Sequence, residues 1–220
     1  MEEKRKHSGN GQRRQYDKSG RTRATILAAA LREFSTYGLA GARVDRIAKS
    51  AKVNNHALYY HFGNKSALFR AVLENGYDAF RARQAPRDLK NTPPQEGMVE
   101  IVSDVFEFVR DTPEHMALVL DVNRNRGAHL TADACERVRA AASPLLRDIG
   151  LVLRRGKSLG LFAKHVDPEH LYLTIFAVCN FYFTNAYTVS AVVGRDLLQP
   201  GAIRTRKKHI VRFVLDALRP

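Results

Sequence analysis

The 220-residue sequence predicts an all-α chain. Three observations carry that prediction. Apolar residues recur at helical spacing. No run alternates apolar and polar residues with β-branched enrichment. Gly, Pro and Asn break the periodic segments at helix-sized intervals. Hydrophobic residues make up 45% of the chain, enough for a sizeable core.

The elements follow in order. Residues 1–20 are polar, with Arg13, Arg14 and Lys18, and read as a flexible basic arm that either wraps onto phosphate or stays disordered. From Arg21, the run RTRATILAAALREFSTYG places Ile26, Ala30 and Phe34 at i, i+4, i+8, with Leu27 and Leu31 alongside, and Gly38 ends the helix. GARVDRIAKSA puts Val44, Ile47, Ala48 and Ala51 on one stripe, a second and short helix. Lys52-Val53-Asn54 is a tight connection with Asn54 as N-cap, and Asn55 to Phe62 form a third helix. Gly63-Asn64 interrupts, and a longer fourth helix starts at Lys65. Pro86, Pro93, Pro94 and Gly97 mark a break, after which helices are expected over 98–111, 114–124, 131–159, 168–190 and 202–218.

Charge is distributed unevenly. Residues 1–90 hold 19 basic and 8 acidic side chains, whereas residues 91–220 hold 17 and 14. A basic head on a near-neutral body points to a polyanionic partner. Cys135 and Cys179 have no CxxC spacing, so a disulfide framework is not expected and a reducing compartment is. The N-terminus lacks the apolar core of a secretory signal, and the apolar stretch 171–193 is interrupted by Asn180, Thr184 and Asn185, so no membrane span is expected.

The stretch VNNHALYYHFGNKSAL crowds three Asn, two His, two Tyr and a Lys together without a carboxylate. Catalysis, metal binding and nucleic-acid reading all use such groups. Two helices of about eight residues joined by three residues form a helix-turn-helix. Leu58 and Phe62, at i, i+4, face inward with Val53. The opposite arc carries His56 and Tyr60, flanked by Ala57, Tyr59 and His61. Asn55 and His56 occupy the N-terminal end, which in this motif meets base edges in the major groove. Asn pairs bidentately with adenine, Ala57 permits close approach or contact with a thymine methyl, and Tyr and His donate to phosphates. Lys65 and Ser66 open the fourth helix, whose N-terminal dipole favours a phosphate.

Ile47-Ala48, Ala51-Lys52-Val53, Leu58-Tyr59-Tyr60-His61-Phe62, and Lys65 with Leu68 resemble the DNA-binding domain of the tetracycline-repressor (TetR) family over about residues 21–70. TPEHMALVLDVNRNRGAHL resembles a further segment of many members, less specifically. The resemblance places Asn55, His56 and Ala57 at base-reading positions, and Tyr59, Tyr60, His61 and Lys65 at phosphate-contacting ones. Arg43 stands where many members have a Thr or Ser cap, which removes a cap and adds a cation expected to meet phosphate. Lys52 stands where Gly is common, implying either modest backbone strain or a slightly different turn.

The implied organisation is a flexible arm (1–20), a three-helix helix-turn-helix DNA-binding domain (21–66) and a helical ligand-binding and dimerisation domain (67–220). HLYLTIFAVCNFYFTNAYTVSAVV is apolar on more than one face and asks for a partner subunit. Ile203, Ile210, Val214 and Leu218 offer a second apolar strip, and two such helices from each subunit would form a four-helix interface. Phe106, Phe108, His115, Met116, Tyr172 and Phe176 are the candidates for an effector cavity suited to a mainly apolar ligand. No cofactor, metal or catalysis is expected. His115, His129, His165, His170 and the two Cys lack zinc-ligand spacing, and there is no GxSxG, P-loop or GxGxxG. The expected function is a cytoplasmic, nucleoid-associated bacterial transcriptional repressor. It binds a palindromic operator as a homodimer and is released by a small-molecule effector. An activator, a non-specific architectural protein and, more remotely, an enzyme or small-molecule carrier are the alternatives.

Overall fold

The structure is a computed structural model that describes residues 8–84, 87–128 and 130–220, with side chains from Ser19 onward. Pro86, His129, the first seven residues and the side chains of Arg13, Arg14 and Lys18 lie outside the described residues. Among the described residues there are ten α-helices and no strand. They are α1 (Ser8–Gly41), α2 (Val44–Ala51), α3 (Asn55–Phe62), α4 (Lys65–Arg83), α5 (Pro94–Asp111), α6 (Pro113–Arg124), α7 (Ala132–Ser158), α8 (Pro168–Thr184), α9 (Ala186–Val193) and α10 (Pro200–Ala217). The chain divides into two compact units. The first comprises Met1–Asn75 and Ala117–His129, the second Gly76–Met116 and Leu130–Pro220. The division therefore falls at Asn75 rather than at residue 66, and it assigns 117–129 to the first unit.

In the first unit α1 begins at Ser8, thirteen residues before the expected start at Arg21. The supposed arm is thus helical from Ser8. Gly9, Gly11 and Gly20 each disfavour a helix by about 1 kcal/mol, so local propensity does not account for this extension. Gly38 breaks the helix as expected (φ 64, ψ 177) before one last turn to Gly41. A Cβ at Gly38 would lie 2.7 Å from the carboxylate of Asp121, which accepts from the Leu39 N–H at 3.2 Å. Ile26, Ala30 and Phe34 of α1, Ile47 of α2, Leu58 of α3 and Leu68 and Phe69 of α4 are fully buried, and Phe34 meets Phe69 edge-on. Their burial seats α2 and α3 on α1, which fixes which arc of α3 is left to solvent.

The three-residue turn between α2 and α3 is as the sequence predicts. Lys52 adopts the left-handed conformation (φ 55), and Val53 N–H returns to Ala48 O at 3.0 Å. An L-residue pays roughly 1 kcal/mol there. Lys52→Gly is therefore expected to raise the unfolding free energy by about 1 kcal/mol. A denaturant midpoint that stays put or falls would show the turn to be unstrained.

In the second unit α5 packs against α7, α8 and α10. Ile101, Val105 and Phe106 interleave with Leu145, Ile149 and Val152, with Ile175, and with Ile210 and Val214. Arg87 bridges Asp104 and Asp148, and Arg155 caps the carbonyls of Leu89 and Thr92, so the segment after α4 is clamped by charge-assisted bonds. Two expectations are corrected here. The helix expected over 168–190 breaks at Asn185, and α9 turns 77° away from α8. Asn185 donates to Phe181 O through both its backbone N–H and its side-chain amide, each at 3.1 Å, so the helix is closed without Gly or Pro. The strip on α10 faces inward, with Ile210, Val214 and Leu218 buried in the unit's own core. The large apolar side chain that α10 leaves exposed is Phe213. No single helix among the described residues is long and apolar enough to cross a membrane.

Candidate nucleic-acid interface

The helix α3 is held at both ends. Asn54 accepts from the Ala57 N–H at 2.8 Å, and Gly63, at φ 76, closes the helix by donating to Tyr59 O. Asn64 then caps α4 through Ala67 N–H at 2.8 Å. Leu58 and Phe62 face inward, so the solvent arc carries Asn55, His56, Tyr59 and Tyr60, the last 78% exposed. Ala57 is half-buried between them. His61 is half-buried and stands edge-on to the Tyr60 ring at 5.4 Å, so it supports α3 as well as edging the surface. Arg23 of α1 lies 5.2 Å from the Phe62 ring centre, a cation at the foot of α3 that the sequence did not single out.

Lys65 is placed differently from the other candidates. Its Nζ donates to Ala40 O at 3.2 Å and Ala42 O at 2.8 Å, tying the start of α4 to the end of α1. An ammonium has three donors, so one remains. Arg43 is exposed and extended, with no side-chain cap of its own on α2. Glu33 of α1 holds the start of α2 in another way, since its carboxylate accepts from Arg43 N–H at 2.8 Å and Arg46 Nε at 2.7 Å. Partial burial pulls the Glu33 carboxyl upward, but the bonds from Arg46 and the Arg43 N–H prevail and hold it below its ordinary range. Arg46 is in turn stacked on Tyr37 at 4.3 Å. Sequence reasoning missed Glu33 because an acceptor ten residues upstream is visible only once α1 and α2 are packed. It also missed Asp45, whose Oδ1 accepts from Asn55 Nδ2 at 2.6 Å.

With this geometry in place, comparison with known proteins decides the family. The description "Bacterial regulatory proteins, tetR family" matches residues 26–72, and "Tetracyclin repressor-like, C-terminal domain" matches residues 94–214. The chain belongs to the TetR family. It is a transcriptional regulator of that family. The HTH-type transcriptional repressor NicS of Pseudomonas putida is 32% identical over 196 residues, covering 89% of this chain and 90% of NicS. The HTH-type transcriptional repressor SCO4008 of Streptomyces coelicolor is 51% identical over 197 residues, covering 89% of this chain and 95% of its own. A tetR-family regulatory protein from Rhodococcus RHA1 shares the fold, with a TM-score of 0.71 at 16% identity, covering 90% and 97% of the two chains.

In the TetR second unit, the expected cavity residues fall into separate groups. Phe108 and Phe176 both meet Phe80, at 4.6 and 5.7 Å, and Tyr172 meets Phe176 at 4.9 Å. Phe106 is fully buried and lies against Phe183 instead, so it is core. Met116 is partly buried against the same core. His115 sits over Gly76, where a Cβ would come within 2.3 Å of its ring. This explains a glycine inside α4, where it is otherwise unfavourable. Burial lowers the His115 pKa against the pull of Glu114, so the ring is neutral at pH 7. Burial raises the phenols of Tyr77 and Tyr172. The space lined by Phe80, Phe108 and Leu145 measures about 10 Å³, room for a single water. Burial pushes the Cys179 thiol up to about 12, so it is an inert apolar side chain, whereas Cys135 is exposed. Among the described residues no group of three or more His, Cys, Asp or Glu side chains is arranged to hold a metal ion.

Proposed function

We propose that this TetR-family regulator represses transcription by binding a palindromic operator as a homodimer, and that a small-molecule effector releases it. The observation that carries the reading is the solvent arc of α3. Its exposed side chains are Asn55, His56, Tyr59 and Tyr60, none of them acidic, and they stand on a helix-turn-helix whose inner face is fully buried. Asn55, His56 and Ala57 meet base edges, while Tyr59, Tyr60, His61, Arg43 and Lys65 serve the phosphates. Both NicS and SCO4008 are named repressors, which supports repression here.

Apolar surface outside the core supports the dimer. Leu173 and Phe181 of α8 are 59% and 57% exposed and lie on one stripe with Ala177, and Phe213 of α10 is 49% exposed. Large exposed apolar side chains on neighbouring elements mark an interface. A two-fold pair then offers two α3 helices to half-sites one helical turn apart, about 34 Å. For the effector, Tyr172, Phe176, Phe108, His115 and Met116 remain the lining, extended by Tyr77 and Phe80. Their aromatic faces and few polar tips suit an apolar ligand with one or two hydrogen-bonding groups.

Footprinting on the duplex upstream of its own gene tests the reading. A short symmetric footprint is expected, with affinity falling steeply as salt rises. Tyr60→Ala weakens every duplex alike, and Asn55→Ala changes the base preference. Protection that spreads without a boundary would make the protein architectural, and increased transcription on binding would make it an activator.

A further inference from the structure

We infer that Asp45 is a specificity-positioning residue, holding the Asn55 amide in the one orientation that reads adenine; this rests on the operator reading above. Asp45 belongs to the first turn of α2, yet its Oδ1 lies 2.6 Å from Asn55 Nδ2 at the start of α3. Both side chains are on the exposed face. The bond brings a carboxylate to the recognition end of a helix that has none of its own. Near an anionic backbone that charge costs affinity, so its presence needs a compensating role.

The chemistry of the pair supplies one. A free Asn amide presents its oxygen or its nitrogen to a base with equal ease, and so does not choose between acceptor and donor patterns. An ionised carboxylate only accepts, so it holds the NH₂ end and excludes the oxygen end. One amide hydrogen is spent on Asp45. The other, together with Oδ1, remains on the outward side. That donor–acceptor pair matches the N7 acceptor and N6 donor of adenine in the major groove. Asp45 also repels phosphate from the end of α3, so that Asn55 meets a base edge and not the backbone. A purely structural alternative exists, in which Asp45 only ties α2 to α3 and favours the α2 helix dipole. The two differ in what happens to base preference.

The test is selection from a random-sequence duplex library with the full chain and its Asp45→Ala, Asp45→Asn and Asn55→Ala variants, with melting temperatures measured in parallel. Asp45→Ala is expected to lose roughly tenfold discrimination for adenine at one position per half-site. That position is the one Asn55→Ala also relaxes. Affinity of Asp45→Ala for random duplex should hold or rise. Asp45→Asn offers a donor as well as an acceptor, no longer excludes the oxygen end of the Asn55 amide, and should relax the preference at the same position. In an Asn55→Ala background, Asp45→Ala should change the preference no further. Unchanged base preference in Asp45→Ala, an equal loss for all duplexes alongside a lowered melting temperature, or a preference change that persists without Asn55 would each overturn the assignment. A wild-type chain that enriches no sequence would overturn the operator reading itself.

Discussion

Lys65→Ala is expected to cost about tenfold in affinity for every duplex and, separately, about 2 kcal/mol of stability in the first unit, the usual worth of charged hydrogen bonds that are partly buried. The second effect is the one its proposed phosphate contact does not suggest. Lys65 Nζ is bonded to the carbonyls of Ala40 and Ala42, and removing it leaves both without that donor at the point where α1 ends and α4 starts. Both α2 and α3 hang between those two helices, so loosening the junction loosens the reading surface. Lys65→Arg separates the contributions. The charge stays, but a planar guanidinium does not reproduce two bonds made by a point-like ammonium. Affinity measured at low salt should therefore recover in Lys65→Arg more fully than the denaturation midpoint. If Lys65→Ala melted like the wild type, its role would be confined to the DNA. If affinity were unchanged while stability fell, its role would be confined to the fold.

Gly156→Ala should destabilise the second unit by about 2 to 3 kcal/mol, although it improves helix propensity. Gly156 lies inside α7, and a Cβ there would come within 2.0 Å of the Phe162 ring. Phe162 is 3% exposed and belongs to the core, so it has nowhere to move. The backbone is equally committed, because Gly156 O accepts from both Leu161 N–H at 2.9 Å and Phe162 N–H at 3.2 Å. Calorimetry or denaturant titration of the variant checks this. A gain of stability, as an exposed helix glycine would give, would mean that Phe162 is not held as tightly as its burial indicates. Phe162→Leu combined with Gly156→Ala should restore part of the loss by clearing the ring.

Much of this protein is legible along the chain because its signals are local. The helix-turn-helix could be delimited from eight-residue apolar stripes, an Asn cap and a three-residue turn, all within a single window of sequence. The kink at Gly38 and the inward set Leu58 and Phe62 follow from the same short-range periodicity. The start of α1 at Ser8 is not legible because residues 8–20 carry no apolar stripe and three glycines. The break at Asn185 was missed because neither Gly nor Pro marks it. The inward turn of Ile210 and Val214 was missed because an apolar strip does not state which neighbour it will meet.

What the sequence determined by itself is therefore the helical class and the helix-turn-helix, written in apolar spacings of three and four residues, and the family, written in the residues from Ile47 to Leu68. Only the tertiary structure decided the partners of the polar groups. Glu33 holds the Arg43 N–H at the start of α2, Lys65 is tied to Ala40 and Ala42, and Asp45 holds Asn55. Hydrogen bonds between helices depend on distances of a few ångströms between residues ten to twenty-five positions apart. Packing sets those distances, and no periodicity along one helix encodes them.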